Sequence, residues 1–129
     1  MAIRIVRLGS ERAGNEGLRI GTVRRPPRGV RKEDYSRKNI YDVWFPNVSP
    51  SEGLLKEFFP IDGDEKVWRT FKRRFLAEMK ERDPSRDLDL LAALSHHTNF
   101  SMGCYCADEA RCHRSILREL LEKRGAEVM

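Results

Sequence analysis

The 129-residue sequence has no apolar run long enough to cross a bilayer, and it opens on no apolar leader of the secretory kind. A membrane-spanning protein is therefore set aside, and no membrane partner is expected. Cysteine is scarce, with three in all. An odd number crowded into nine residues makes a poor disulfide framework, so a reducing cytoplasm is the expected setting. No internal repeat or low-complexity segment is present, which excludes a solenoid. Hydropathy is low and 35% of residues are charged, yet apolar residues recur with clear periodicity, which excludes a disordered chain. One domain over residues 1–129 with a single core is expected at this length.

What is present in excess is positive charge, and it is unevenly placed. Residues 1–38 hold 11 Lys/Arg against 4 Asp/Glu, a balance of +7. Residues 39–129 hold 14 against 16, a balance of −2. A basic N-terminal third suggests an anionic partner: phosphate, nucleotide or nucleic acid. The competing reading is an ion-pair-rich surface.

The periodicity reads as an α/β pattern. Ile3–Leu8 is β-branched and bounded by Gly9-Ser10, and Leu18–Val23 is a weaker second strand. Paired prolines keep Arg24–Gly29 out of a helix. Tyr41–Phe45 reads as a third strand. Ser49 as cap, Pro50 in the first turn and Glu52 as its capping-box partner start a helix. Asp64 caps a longer helix, about 65–81, whose stripe of Trp68, Phe71, Phe75 and Met79 is a core face. Pro84-Ser85 reads as a break, followed by a short helix with Leu88, Leu91 and Leu94 inward. Phe100–Cys106 suits a buried parallel strand. A last helix over about 109–124 buries Ile116, Leu117, Leu120 and Leu121 and ends at Gly125. The expected fold is a mostly parallel sheet flanked by helices. His96 and His97 are expected in solvent at a helix end.

Chemistry is concentrated in Cys104-Tyr105-Cys106 through Cys112-His113-Arg114, which contains every cysteine. One reading is an anion pocket. A strand ending at Cys106 and handing over to a helix places free N–H groups beside the loop, and Arg111 and Arg114 add forked donors. His113 should face the sheet edge and serve as general acid or base. A thiol in that field would be activated, which makes Cys106 or Cys112 the candidate nucleophile. Only four residues separate Cys106 from Arg111, so the phosphatase loop pattern is not met. The second reading is zinc on three Cys and one His. It is weakened because Cys104 and Cys106 should splay along a strand while Cys112 and His113 diverge on a helix. The third is buried, inert thiols, which suits Cys104 best. Arg24 and Arg28, on the Pro-Pro loop, are the second half of the candidate site and could converge with Arg114 on an anion.

Those segments together resemble the DUF488 family of small bacterial and archaeal proteins. Arg24-Arg25-Pro26-Pro27-Arg28-Gly29-Val30 with Lys32-Glu33 resembles its R-x-x-P-R-G-[LV]-x-K-E segment. Asp42–Ser51 resembles W-x-x-x-[LV]-[AS]-P-S. Cys104 through Ser115 resembles the C-x-C-x-D…C-H-R-S ending of one branch. The likeness spans residues 18–121. It implies an α/β domain and brings no assigned reaction. Another branch of the family keeps the Arg-Pro-Arg-Gly segment without the cysteines, which favours an anion- or nucleotide-binding pocket.

The leading expectation is thus a small α/β protein that binds an anionic small molecule or nucleotide through Arg24, Arg28, Arg111 and Arg114. The alternatives are a nucleic-acid-binding module using the basic third, where only Tyr35 and Tyr41 lie near as aromatics, and a thiol redox or zinc protein.

Overall fold

The computed structural model describes residues 1–59 and 64–129. Four strands, β1 (Ile3–Arg7), β2 (Leu18–Gly21), β3 (Val43–Trp44) and β4 (Phe100–Cys104), form one sheet in the order β1-β4-β2-β3. Every pairing is parallel, with Ile3 opposite Phe100, Leu18 opposite Phe100 and Ile20 opposite Val43. Four helices accompany them among the described residues: α1 (Glu52–Phe58), α2 (Glu65–Met79), α3 (Arg82–Leu94) and α4 (His113–Lys123). The α/β reading holds.

The last strand in the chain, β4, is the central one, and all five of its residues are buried. That is why Phe100–Cys104 carries no charged residue at all. Alternation along strands sends Phe100 and Met102 to one face with Ile3 and Ile20. This face packs on Phe71, Phe75, Leu88, Ile116 and Leu117, so the helices cover it. Ser101 and Gly103 face the other side, which irregular loops cover instead. Arg19, opposite Ser101 and fully buried, lies there with Glu16. Gly21 is obligatory on that side, because a Cβ there would sit 2.2 Å from the Tyr41 ring.

Several elements depart from expectation. The strands are shorter than read, and β3 keeps only Val43–Trp44. Helix α1 is capped by Ser51, whose hydroxyl accepts from the Leu54 N–H at 3.2 Å. Ser49 instead donates its hydroxyl to the Pro46 carbonyl in a 3₁₀ turn, Pro46–Val48. The expected capping partner Glu52 is replaced by Glu78 of α2, which accepts from the Ser51 N–H at 3.0 Å and from its hydroxyl. Pro84 does not break the chain. It sits in the first turn of α3, where no intrahelical N–H bond is owed. Ala92, not Leu94, completes the buried stripe of α3, and Leu94 is exposed. The core stripe of α2 and the stop at Gly125, with φ +81°, are as expected.

Candidate functional site

The carboxyl ends of β4 and β2 meet the start of α4. The chain leaves β4 at Cys104, turns through Tyr105 and Cys106, makes a 3₁₀ turn at Glu109–Arg111, and enters α4 at His113. The last helix therefore begins four residues later than the sequence suggests. Cys112 is extended, with φ −127° and ψ 151°, and is not helical. This backbone change undoes the expected splaying of the thiols. The Sγ atoms of Cys104, Cys106 and Cys112 all lie within 4.8 Å of one another. Three sulfurs so placed are close enough to hold a metal ion such as zinc. His113 stands outside that group.

The ring of His113 is buried and fixed at both nitrogens. Nε2 lies 2.7 Å from the Thr22 carbonyl, which can only accept, so Nε2 carries the proton. Nδ1 is then an acceptor, and it faces Cys112 Sγ at 3.6 Å. Burial, partly offset by the hydrogen bond to Thr22, holds the His113 pKa down at about 4, so the ring is neutral at pH 7. Phase of the helix and the edge-on contact with Phe75 (centroids 5.9 Å apart) explain why it faces inward, as expected.

Arg114 is 4% exposed. Its Nη2 donates to the Cys106 carbonyl at 2.6 Å, and its Nε finds no hydrogen-bond partner. Among the described residues it makes no ion pair, unlike Arg111 or Arg118. The groups near it that can carry negative charge are the thiols and, beyond ion-pair distance, Glu109. Cys104 and Cys112 are fully buried, while Cys106 is half-buried and opens onto a cavity. The Cys104 thiol first, then Cys112, His113 and the Arg114 charge, outweigh burial and hold the Cys106 thiol well below the ordinary range. Cys104 is pushed up, first by its hydrogen bonds to Cys106 and Cys112 and then by burial. For Cys112 the Cys104 thiol acts downward, but the neighbouring Cys106, burial and the Cys106 charge prevail and raise it, while its single S–H faces His113 Nδ1.

The cavity holds about 230 Å³. Val23, Pro50, Leu55, Phe59 and Tyr105 make most of its wall, with Arg24, Arg25 and His113 also lining it. The two expected halves of the site therefore do meet. The Tyr105 hydroxyl donates to the Arg25 carbonyl at 3.2 Å, which ties the loops together. The four arginines do not converge, however. Arg24 donates from Nε to the Pro50 carbonyl at 3.0 Å and from Nη2 to the Ser49 carbonyl at 3.1 Å. Arg111 pairs with Glu65 at 2.7 Å and lies over Trp68, away from the cavity. Arg28 is exposed and lines no part of it. The 3₁₀ turn between Cys106 and Arg111 aims the Arg111 side chain at α2, a feature that residue spacing does not carry.

Two features went unread in the sequence. Trp44, read only as part of a strand, is 43% exposed and its indole N–H is fixed to the Val23 carbonyl at 2.7 Å. Tyr41, expected near the basic surface, is buried against Gly21. Glu16 and Arg19 form a fully enclosed pair at 2.8 Å, joined by the Ser101 hydroxyl at 2.7 Å. An isolated Glu-x-x-Arg in a basic segment gives no sign of burial. His96 is exposed as expected, with Nε2 2.9 Å from the Gly125 carbonyl.

A parallel α/β sheet with a cavity at its strand ends, lined by Cys104 and Cys106 of a three-cysteine cluster, defines a class of small thiol-bearing α/β proteins. Residues 3–125 match the model of the active DUF488-N3 subclade, DUF488-N3a, and the chain belongs to the DUF488 family. No curated protein and no solved structure matches it. No described helix is long and apolar enough to cross a membrane.

Proposed function

We propose that this protein is a thiol-dependent enzyme that holds a compact substrate in the cavity over Cys106 and attacks it with the Cys106 thiolate. One observation carries the reading. Arg114 is a buried cation that makes no ion pair among the described residues, Glu109 lying beyond ion-pair distance, and an unpaired buried charge is costly, so the thiols beside it would supply the counter-charge. Cys104 and Cys106 both line the cavity, and Cys106 is the less buried of the two. The description of the matching subclade as active is in keeping with this. The cavity wall is mostly apolar, so the substrate has an apolar body. Its anionic or polar end would meet Arg24 and Arg25 at the rim, which retains the anion preference suggested by the sequence.

Alkylation of the metal-free, reduced protein by iodoacetamide across pH tests this. A single cysteine labelled at pH 6, mapped to Cys106 and lost in Cys106→Ser, is the expected result. Labelling that rises only near the ordinary thiol pKa of about 8.5 would refute it. Tight stoichiometric zinc in the purified protein would reassign the cluster to metal binding.

Trp44 favours a second reading, a nucleic-acid surface. With Lys32 and Tyr35 it lines a separate cavity of about 570 Å³ beside the basic loop. An exposed indole with a fixed edge is a stacking platform for a base. Binding of single-stranded oligonucleotide should weaken steeply with salt and drop on Trp44→Ala; salt-insensitive binding, or none, discards this reading.

A further inference from the structure

Three thiols meet at this site, but the backbone treats them differently. Cys104 belongs to the central strand. It pairs with Arg7 of β1, and its carbonyl accepts from the Leu8 N–H at 2.8 Å. Moving its sulfur means moving the middle of the sheet. Cys112 lies between an exposed 3₁₀ turn and the first residue of α4, and residues 107–111 are exposed or half-exposed. That connection is the freer of the two to bring its sulfur, already within 4.8 Å of Cys106 Sγ, into bonding distance. Cys112 also has the base. Nδ1 of His113 is its acceptor, because the Thr22 carbonyl holds the ring proton on Nε2. Cys104 has no comparable base beside it.

We propose that Cys106 and Cys112 form a redox-active dithiol that reduces small disulfides, with His113 relaying the Cys112 proton and Cys104 acting only as a fixed thiol donor. The inference rests on the Cys106 reading above. In the first step the Cys106 thiolate attacks one sulfur of the substrate RSSR. A Cys106–S–SR bond forms, the S–S bond of the substrate breaks, and RS⁻ leaves with the electron pair. In the second step Cys112 passes its proton to His113 Nδ1 and attacks Cys106 Sγ. The Cys106–Cys112 bond forms, and the second RS⁻ leaves and takes the proton from His113. Two electrons pass from the protein sulfurs to the substrate, and an external thiol resets the pair. The cavity limits the substrate to a compact, largely apolar disulfide.

The test uses the full chain, reduced, with excess bis(2-hydroxyethyl) disulfide and peptide mapping under non-reducing conditions. Wild type should release two equivalents of 2-mercaptoethanol and end with Cys106 bridged to Cys112. Cys112→Ser should release one equivalent and stop as a mixed disulfide on Cys106. Cys104→Ser should still close the Cys106–Cys112 bridge. His113→Asn should slow the second release more than the first. A mixed disulfide that persists on Cys106 in wild type, or a bridge to Cys104, overturns this inference alone. No reaction at Cys106 in Cys112→Ser overturns the thiolate reading beneath it.

Discussion

At the scale of single residues, Arg114 and Gly21 show how one side chain sets its surroundings. Arg114→Met keeps the packed stem and removes the charge, and with it a force that stabilises the Cys106 thiolate. The midpoint of Cys106 alkylation should then rise by about one pH unit or more, while the melting temperature changes little. A midpoint that does not move would mean the sulfur hydrogen bonds act alone. Gly21→Ala forces a methyl group into the Tyr41 ring, which lies 2.2 Å from the new Cβ position. Thermal unfolding should show a loss of about 1–3 kcal/mol. The chemical residues were legible in the sequence because Cys, His and Arg stand out by type and crowding. Their pairings were not. Arg24 and Arg111 were read as anion donors, yet they donate to carbonyls 25 and 26 residues away and to Glu65, 46 residues away.

At the scale of elements, the capping of α1 is shared between two helices. Ser51 caps its own helix, and Glu78 of α2 takes the Ser51 N–H and hydroxyl. Ser51→Ala should cost about 1–2 kcal/mol in denaturant unfolding. Ser49→Ala should cost less, since Ser49 caps no helix. Equal losses from the two substitutions would return the cap to Ser49. Helices α2 and α4 were legible because their apolar residues recur at helical spacing over many turns. The start of α4 was not, because Asp108 through Arg111 form a 3₁₀ turn whose local signals are those of a helix N-terminus. That slip of four residues is also what hid the thiol cluster. A helical Cys112 would point away from Cys104 and Cys106, whereas an extended one joins them.

At the scale of the whole molecule, the sheet is held on its loop-covered side by buried or half-buried carboxylates. Burial alone would raise the Glu16 pKa, but hydrogen bonds from Arg19 and Ser101 hold it at about 2, below its ordinary 4.5. Asp42 is likewise held at about 2 by Arg12, Ser36 and the Arg19 N–H against burial. Each folded value lies below the unfolded one, so the stabilisation is complete above about pH 4.5 and is lost as pH falls toward 2. Melting temperature should begin to fall below about pH 6.5, where unfolding lets the buried, neutral His113 take up a proton, and fall more steeply below about 4.5 as the carboxylates also protonate. Glu16→Gln leaves Arg19 enclosed and unpaired and should cost about 3–5 kcal/mol at pH 7. A shallower acid limb in that variant would confirm Glu16 as a main titrating group beside Asp42, and an unchanged one would exclude it.

The amino-acid sequence by itself determined the class of fold, the core stripe of α2, the buried strand Phe100–Cys104 and the segment where chemistry gathers. These follow from periodicity, local turn chemistry and residue type, which act over a few residues. Only the tertiary structure decided that β4 lies at the centre, that Arg19 is enclosed with Glu16, and that three thiols meet while four arginines do not. Those outcomes depend on contacts between residues far apart in the chain, where burial and the need to pair every buried charge override local preference.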